Sequence, residues 1–188
     1  MSISSTALLI VDMQKGMQNP AVGKRNNPTA EANVGRLLGR WRAAGAPVVH
    51  IRHISRSARS AFAPGQVGVE FQEALMPLAH EHVVEKNVPD AFIHSSLEKW
   101  LRIRSITEVV IVGVSTNISV ESSARSAGNL GFGTSVVSDA TYTFDKIDYD
   151  GQLHAASAIH AMALANLDGE FARIISTEQL LDEMQRFT

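Results

Sequence analysis

Five short runs of aliphatic and β-branched residues, spread along the whole chain and closed by turn residues, restrict the fold more than any other feature. They are Ala7-Leu8-Leu9-Ile10-Val11, Pro47-Val48-Val49-His50-Ile51, Val109-Val110-Ile111-Val112, Thr134-Ser135-Val136-Val137 and Ala172-Arg173-Ile174-Ile175. Their near-continuous hydrophobicity, without alternation, is the pattern of strands covered on both faces. Between them the period changes to 3.6: Ala30, Val34, Leu37, Leu38 and Trp41 mark a helix over Thr29 to Ala44, with Asn27-Pro28 to start it and Gly45 to end it. Ser95 with Glu98, and Ser176 with Gln179, are capping-box pairs ahead of further apolar residues. Strand alternating with helix predicts an α/β fold, a parallel sheet with helices on both faces, because each parallel crossover needs a helix-length connection. His53 to Pro77 breaks the pattern. Ser55, Ser57, Ser60, Pro64 and Gly65 interrupt the period while Phe62 and Phe71 still require burial, so a long, partly ordered loop is expected there.

With 188 residues, 45% hydrophobic and 19% charged, and with no linker, repeat or low-complexity tract, one domain over 1–188 is expected to bury a full core without metal or disulfide staples. Seventeen basic against nineteen acidic side chains give a formal charge of -2, which offers no electrostatic footprint for nucleic acid or an anionic membrane. No apolar run approaches the roughly 20 residues that span a bilayer, and MSISSTALLIVD has no basic leader region, so a soluble cytoplasmic protein is expected. The cysteine count is zero, which removes thiolate metal sites and any cysteine nucleophile.

In parallel α/β sheets ligands bind outside the carboxyl ends of the strands. The first strand ends in Val11-Asp12-Met13-Gln14, and another ends in Gly113-Val114-Ser115-Thr116-Asn117-Ile118-Ser119 before a helix starting near Val120. Asp12 and Ser119 can therefore meet, although an Asp after a strand also serves as a turn or cap and a Ser at a helix start also serves as structure. Lys86, after the apolar pair Val83-Val84, reads by itself as a solvated lysine. Gly131-Phe132-Gly133 precedes a strand and so is no dinucleotide fingerprint, and His80 with His82 lacks a third ligand.

The segments ALLIVDMQKGM, VVEKNVPDAF, VVIVGVSTNISVESSARSAGNLGF, VVSDATYTF and HAASAIHAMALANLDGEFARIIST resemble, in order and spacing, the isochorismatase-like (cysteine hydrolase) superfamily, over roughly Thr6 to Leu181. The resemblance implies a three-layer fold with a six-stranded, mostly parallel sheet, a homodimer or homotetramer, no cofactor, and an Asp-Lys-Cys triad that hydrolyses small amides or carbamoyl compounds. Carried over by motif, the Asp is Asp12, the Lys is Lys86 and the nucleophile position is Ser119. It further implies a cis peptide joining Val114 to Ser115, with the N–H groups of Ser115 and Ser119 as oxyanion donors; Val114, Ser115, Gln14 and Phe62 are the residues expected to line the oxyanion and substrate side of the site. Nicotinamidase-like members hold a metal after the second strand; here Ile51-Arg52-His53-Ile54-Ser55-Arg56 lacks the aspartate and the spaced second histidine, so no metal is expected. Arg52, Arg56, Arg59 and Phe62 are candidates to cap the pocket over a substrate carboxylate, or are simply solvated.

Serine at position 119 is the departure from the family. Three readings follow, in order of preference: a Cys-to-Ser form of an amidohydrolase that holds substrate without turning it over; a vinyl-ether hydrolase of the isochorismatase type with Asp12 as general acid; and a non-catalytic small-molecule binding protein. The surroundings Val120-Glu121-Ser122-Ser123-Ala124-Arg125 resemble the thiol-bearing branch, which places the first reading ahead.

Overall fold

The computed structural model describes residues 3–185. Its main sheet contains β1 (Thr6–Val11), β2 (Val48–His53), β3 (His82–Lys86), β4 (Glu108–Val114), β5 (Gly133–Tyr142) and, after a separate antiparallel pair β6 (Lys146–Ile147) and β7 (Leu153–His154), the last strand β8 (Arg173–Ile175). The order is β3-β2-β1-β4-β5-β8, and every pairing in the sheet is parallel. The connections are built from α1 (Ala30–Ala43), α2 (Leu97–Ile103), α3 (Glu121–Asn129) and α4 (Ala156–Leu167), with α5 (Thr177–Gln185) after the last strand.

The continuous hydrophobicity of the runs has its reason in β1, which is buried at all six positions. Ala7, Leu9 and Val11 pack into one core with Leu97 and Leu101 of α2, Ala124 and Ala127 of α3 and Leu164 and Leu167 of α4. Leu8 and Ile10 point the other way, against Val34, Leu37, Leu38 and Trp41 of α1 and Leu180 and Met184 of α5. This is the three-layer α/β arrangement expected from the sequence, with six parallel strands.

Helix ends obey local chemistry. Gly45, at φ +61, follows α1 while its N–H donates to Arg42 and that of Ala46 to Trp41, the paired bonds that close a helix on a left-handed residue. Ser176 and Gln179 form the reciprocal capping box, Oγ accepting from Gln179 N and Oε1 from Ser176 N. The Ser95–Glu98 box does not form: α2 starts one residue later than that pattern requires, and Ser95 Oγ accepts from Leu97 N while donating to Ala91 O. The 53–77 segment is better ordered than its composition implies, because Phe71 and Leu75 are buried and Phe71 pairs with Gln14 in an isolated bridge.

The end of that segment is held by a buried ion cluster. Glu81 accepts from Arg42 Nε at 2.7 Å, from His50 Nε2 at 2.9 Å and from Leu78 N at 2.8 Å. Burial pushes the Glu81 carboxyl up, but these bonds outweigh it and hold it down at about 2, below the ordinary glutamate value of 4.5. A carboxylate depressed in the folded state stabilises above its unfolded pKa, and that stability is lost as pH falls through the folded value. The shift corresponds to ~3 kcal/mol, reduced to about 2 kcal/mol because the Arg42 side of the pair reaches water. Glu81→Gln is therefore expected to lower stability by that amount at pH 7 in urea melts, with the gap to wild type closing between about pH 4.5 and pH 2.

Candidate active site

The strand order reverses at β1: β2 lies on one side and β4 on the other, and α1 and α3 leave toward opposite faces of the sheet. A crevice therefore opens beyond the carboxyl ends of β1 and β4. Asp12 sits at the end of β1 with φ +52, a left-handed conformation that aspartate tolerates, and its N–H donates to Ile51 O at 2.9 Å. The turn leads the backbone out of the sheet while the side chain stays buried.

Beside it, β4 passes β1 at unusually short range. Gly113 has φ +118, and a Cβ there would lie 2.0 Å from Val11 O, so only glycine fits. The pairing of β4 with β5 shifts register between Ile111 and Gly113. Val114, fully buried, and Ser115 follow, and the bond joining them is cis. The Ser115 carbonyl accepts from Ile118 N and Val120 N, winding Thr116–Val120 into a wide turn that runs directly into α3. Ser119 lies in that turn, 8% exposed.

Lys86 closes the arrangement from β3. It is the last residue of that strand, and parallel pairing opposite His53 brings it to the same sheet edge as Asp12 and Ser119. Its Nζ donates to Asp12 Oδ2 at 2.7 Å and to Ser119 Oγ at 3.3 Å, and all three side chains are buried.

Burial pushes the Asp12 carboxyl up, and the Lys86 ammonium and the Ser119 hydroxyl offset this only in part. Its other oxygen, Oδ1, is buried without a hydrogen-bond partner. His53 is pushed down by burial and by the Lys86 charge, so near neutral pH it adds no second cation. A carboxylate and a hydroxyl sharing one ammonium, with a carboxylate oxygen in reserve, can move a proton to or from a bound molecule.

The remaining candidates lie around this centre. Gln14 is fully buried, and its amide is committed to backbone: Nε2 donates to His53 O and Val69 O, and Oε1 accepts from His53 N. Phe62 is one layer out, half-buried, edge-on to His53 at 6.3 Å and packed over Gly16. Of the loop arginines, Arg52 pairs with Glu85, while Arg56 donates to Asn87 Oδ1 on the wall of a cavity of about 350 Å³ that Lys86 and His94 also line. Among the described residues no three carboxylate or imidazole groups converge as metal ligands.

Three positioning contacts have no strong sequence signal. Ser123 Oγ donates to Ser119 O at 2.7 Å and accepts from Ala91 N at 3.0 Å, tying the turn to the segment that follows Lys86. Thr116 Oγ1 bonds His160 Nδ1 of α4 at 2.8 Å, and Asn117 Oδ1 accepts from Thr143 Oγ1. Only the i, i+4 spacing of Ser119 and Ser123 on one helical face is visible in advance.

Comparison with known proteins agrees with this architecture. A model of the Isochorismatase domain matches residues 6–179. The chain is 40% identical over 177 residues to an uncharacterized isochorismatase family protein, YrdC, of Bacillus subtilis (strain 168), covering 94% of this chain and 95% of that one. A crystal structure of an isochorismatase-family protein from Chromobacterium violaceum ATCC 12472 superposes with a TM-score of 0.95 at 42% identity, covering 99% of this chain and 96% of that one. Nicotinamidase 3 of Arabidopsis thaliana is 29% identical over 187 residues, covering 93% of this chain and 86% of that one.

Proposed function

The chain belongs to the isochorismatase family, and from that premise we propose that it is a single-domain, cytoplasmic hydrolase of a small amide or carbamoyl compound, in which Asp12, Lys86 and position 119 act together. The observation that carries the proposal is the Lys86 ammonium held between Asp12 Oδ2 and Ser119 Oγ inside a buried crevice. A surface lysine has no reason to leave water for that place unless two groups there need its charge. The amide substrate follows the relative named as a nicotinamidase.

With a thiol at position 119 the steps close. Asp12 takes the S–H proton, and the thiolate attacks the carbonyl carbon. The resulting oxyanion is held by the backbone N–H groups of Ser115 and residue 119. Asp12 returns the proton to the leaving nitrogen, ammonia departs, and an acyl-enzyme remains. Water, deprotonated by Asp12, then attacks the acyl carbon, the C–S bond breaks to release the acid, and Asp12 returns the proton to the departing thiolate, while Lys86 keeps both partners in register. The serine stops the first step, because an alcohol is far less acidic than a thiol of pKa about 8.5. The chain with Ser119 accordingly binds its amide and retains it.

One observation favours a second reading. Burial raises Asp12 toward its protonated form, which suits a general acid that protonates a vinyl ether and needs no nucleophile. Assaying the Ser119 and Ser119→Cys forms against small amides, carbamoyl compounds and isochorismate separates the readings. Ammonia release confined to the Cys form supports the amidohydrolase. Equal activity of both forms on the vinyl ether replaces it with the acid mechanism, and binding without turnover in either form reduces the site to a receptor.

A prediction about metal belongs with this test. Because no ligand cluster converges among the described residues, activity of the Ser119→Cys form is expected to survive EDTA; loss on chelation with recovery on adding zinc would show that the His53 region binds metal.

A further inference from the structure

We propose that His160 of α4 is a positioning residue for the active-site turn: through Thr116 it sets where the backbone N–H groups of Ser115 and Ser119 point, and so how well they hold an oxyanion. The meaning of those donors rests on the catalytic reading above, while the geometry stands by itself. His160 is a polar ring on an apolar surface. The sequence of α4, ASAIHAMALANL, contains no Asp, Glu, Lys or Arg, and its other buried residues are Ala156, Ala163, Leu164 and Leu167. An imidazole placed there has lost its water and needs a partner at each nitrogen. Both are present. Nδ1 lies 2.8 Å from Thr116 Oγ1, and the Ser138 carbonyl of β5 is the ring's backbone partner. A carbonyl only accepts, so the nitrogen facing it, Nε2, carries the hydrogen. Burial pushes the imidazole pKa down, which leaves the ring neutral near neutral pH and Nδ1 bare. The Thr116 hydroxyl is then the donor, and a tautomer set on α4 dictates how a hydroxyl at the start of the active-site turn is oriented.

Thr116 is fully buried, begins the turn Thr116–Val120, and stands directly after Ser115 and ahead of Ser119. The bonds that Ile118 N and Val120 N donate to the Ser115 carbonyl are internal to the turn. Internal bonds fix the curvature of a turn but not its tilt against the sheet; tilt needs anchors on other elements. Asn117 has one in Thr143, and Ser123 ties the Ser119 carbonyl to Ala91. The anchor next to the Ser115 donor is His160. A threonine hydroxyl without such a partner turns to a nearby main-chain acceptor. Here that competes for the carbonyls on which the turn is wound, and the two oxyanion donors lose their common aim.

Substitution separates the two nitrogens. The amide of asparagine reaches the place of Nδ1 and keeps an acceptor for Thr116; that of glutamine reaches the place of Nε2 and keeps only the Ser138 contact. In the Ser119→Cys form, His160→Gln is expected to lower kcat for ammonia release roughly 10- to 100-fold with KM changed less than about twofold, because misaimed donors weaken transition-state binding and not substrate binding. His160→Asn is expected to recover most of the loss. Thr116→Val should match His160→Gln, and the double variant should be no slower than either alone, because both remove one bond. In the chain with Ser119 the same change is read without turnover: the 1H–15N resonances of Ser115 and Ser119 should move in His160→Gln and return in His160→Asn, with those of Leu8 to Ile10 unmoved. Resonances that stay in place in His160→Gln overturn the proposal, whether or not the Ser119→Cys form is active. So do equal losses of kcat and of Tm in the Gln and Asn variants, which would make the histidine a packing residue. Moved resonances in a chain whose Ser119→Cys form releases no ammonia uphold the positioning and reject the amidohydrolase reading instead.

Discussion

Ser119→Cys is expected to raise the rate of ammonia release from a cognate small amide by a factor of about 10⁴ to 10⁶, with Asp12→Ala or Lys86→Ala in that background returning it to baseline. The size follows from the step restored: removing a catalytic nucleophile costs on the order of a millionfold in comparable hydrolases, and the residual rate comes from binding and oxyanion donors alone. Neither neighbour has to move, because Lys86 Nζ already lies 3.3 Å from the position the sulfur would take over from Oγ. The acid limb of the pH profile should have its midpoint above the ordinary aspartate value of 3.8, because burial raises Asp12 and the base works only when deprotonated. The serine and cysteine forms turning over every substrate equally would refute the nucleophile assignment.

Gly113→Ala should be the most damaging single methyl group in the chain. Its Cβ would overlap a backbone carbonyl oxygen at 2.0 Å, and no rotamer change relieves a clash with main chain. Separation of β1 from β4 would be felt at both Asp12 and Ser115, so loss of stability and loss of the site arrive together. A cost above ~4 kcal/mol, a fall in Tm of more than about 10 °C for a chain this long, is expected by calorimetry. Gly23→Ala is the control: Gly23 has nearly the same φ, +116, but nothing within 4 Å of the added carbon, so it isolates backbone strain at roughly 1–3 kcal/mol. Equal melting temperatures for the two variants would mean that the close approach of the strands is not a constraint.

The central strands were readable because both faces of β1 and β4 are buried, and burial on two faces leaves no polar positions to confuse the pattern. β3 was harder for the opposite reason. It is an edge strand on which only Val84 and Lys86 are buried, so its apolar signal shrinks to a pair and its lysine looks solvated. Only the family resemblance singled Lys86 out, because parallel register, which sequence does not display, decides that it ends beside His53. β5 extends past its apolar run to Tyr142 because the register shift lets Thr141 and Tyr142 pair with Gly113 and Val114 despite Ser138 and Asp139. Gln14 shows the limit of reading strand ends as ligand contacts: a polar side chain at that position also serves to satisfy the backbone of a folded-over loop. His160 acts through Thr116, 44 residues away in the chain, so no local pattern announces it, and of Ser123 only the spacing to Ser119 is local, while its bond to Ala91 is not.

Lys86 being delivered by the sheet's border strand has a consequence for durability. Asp12 and the Ser119 turn grow out of strands paired on both sides, whereas β3 is the edge strand and pairs in the sheet with β2 only. Peeling β3 away would detach the ammonium from both partners while the interior of the sheet stays intact. The arrangement of the three side chains is then only as persistent as this outermost ladder. In rising urea the ability to retain ligand should disappear before the folded baseline bends, and amide protons of Val84 to Lys86 should exchange well ahead of those of Leu8 to Ile10.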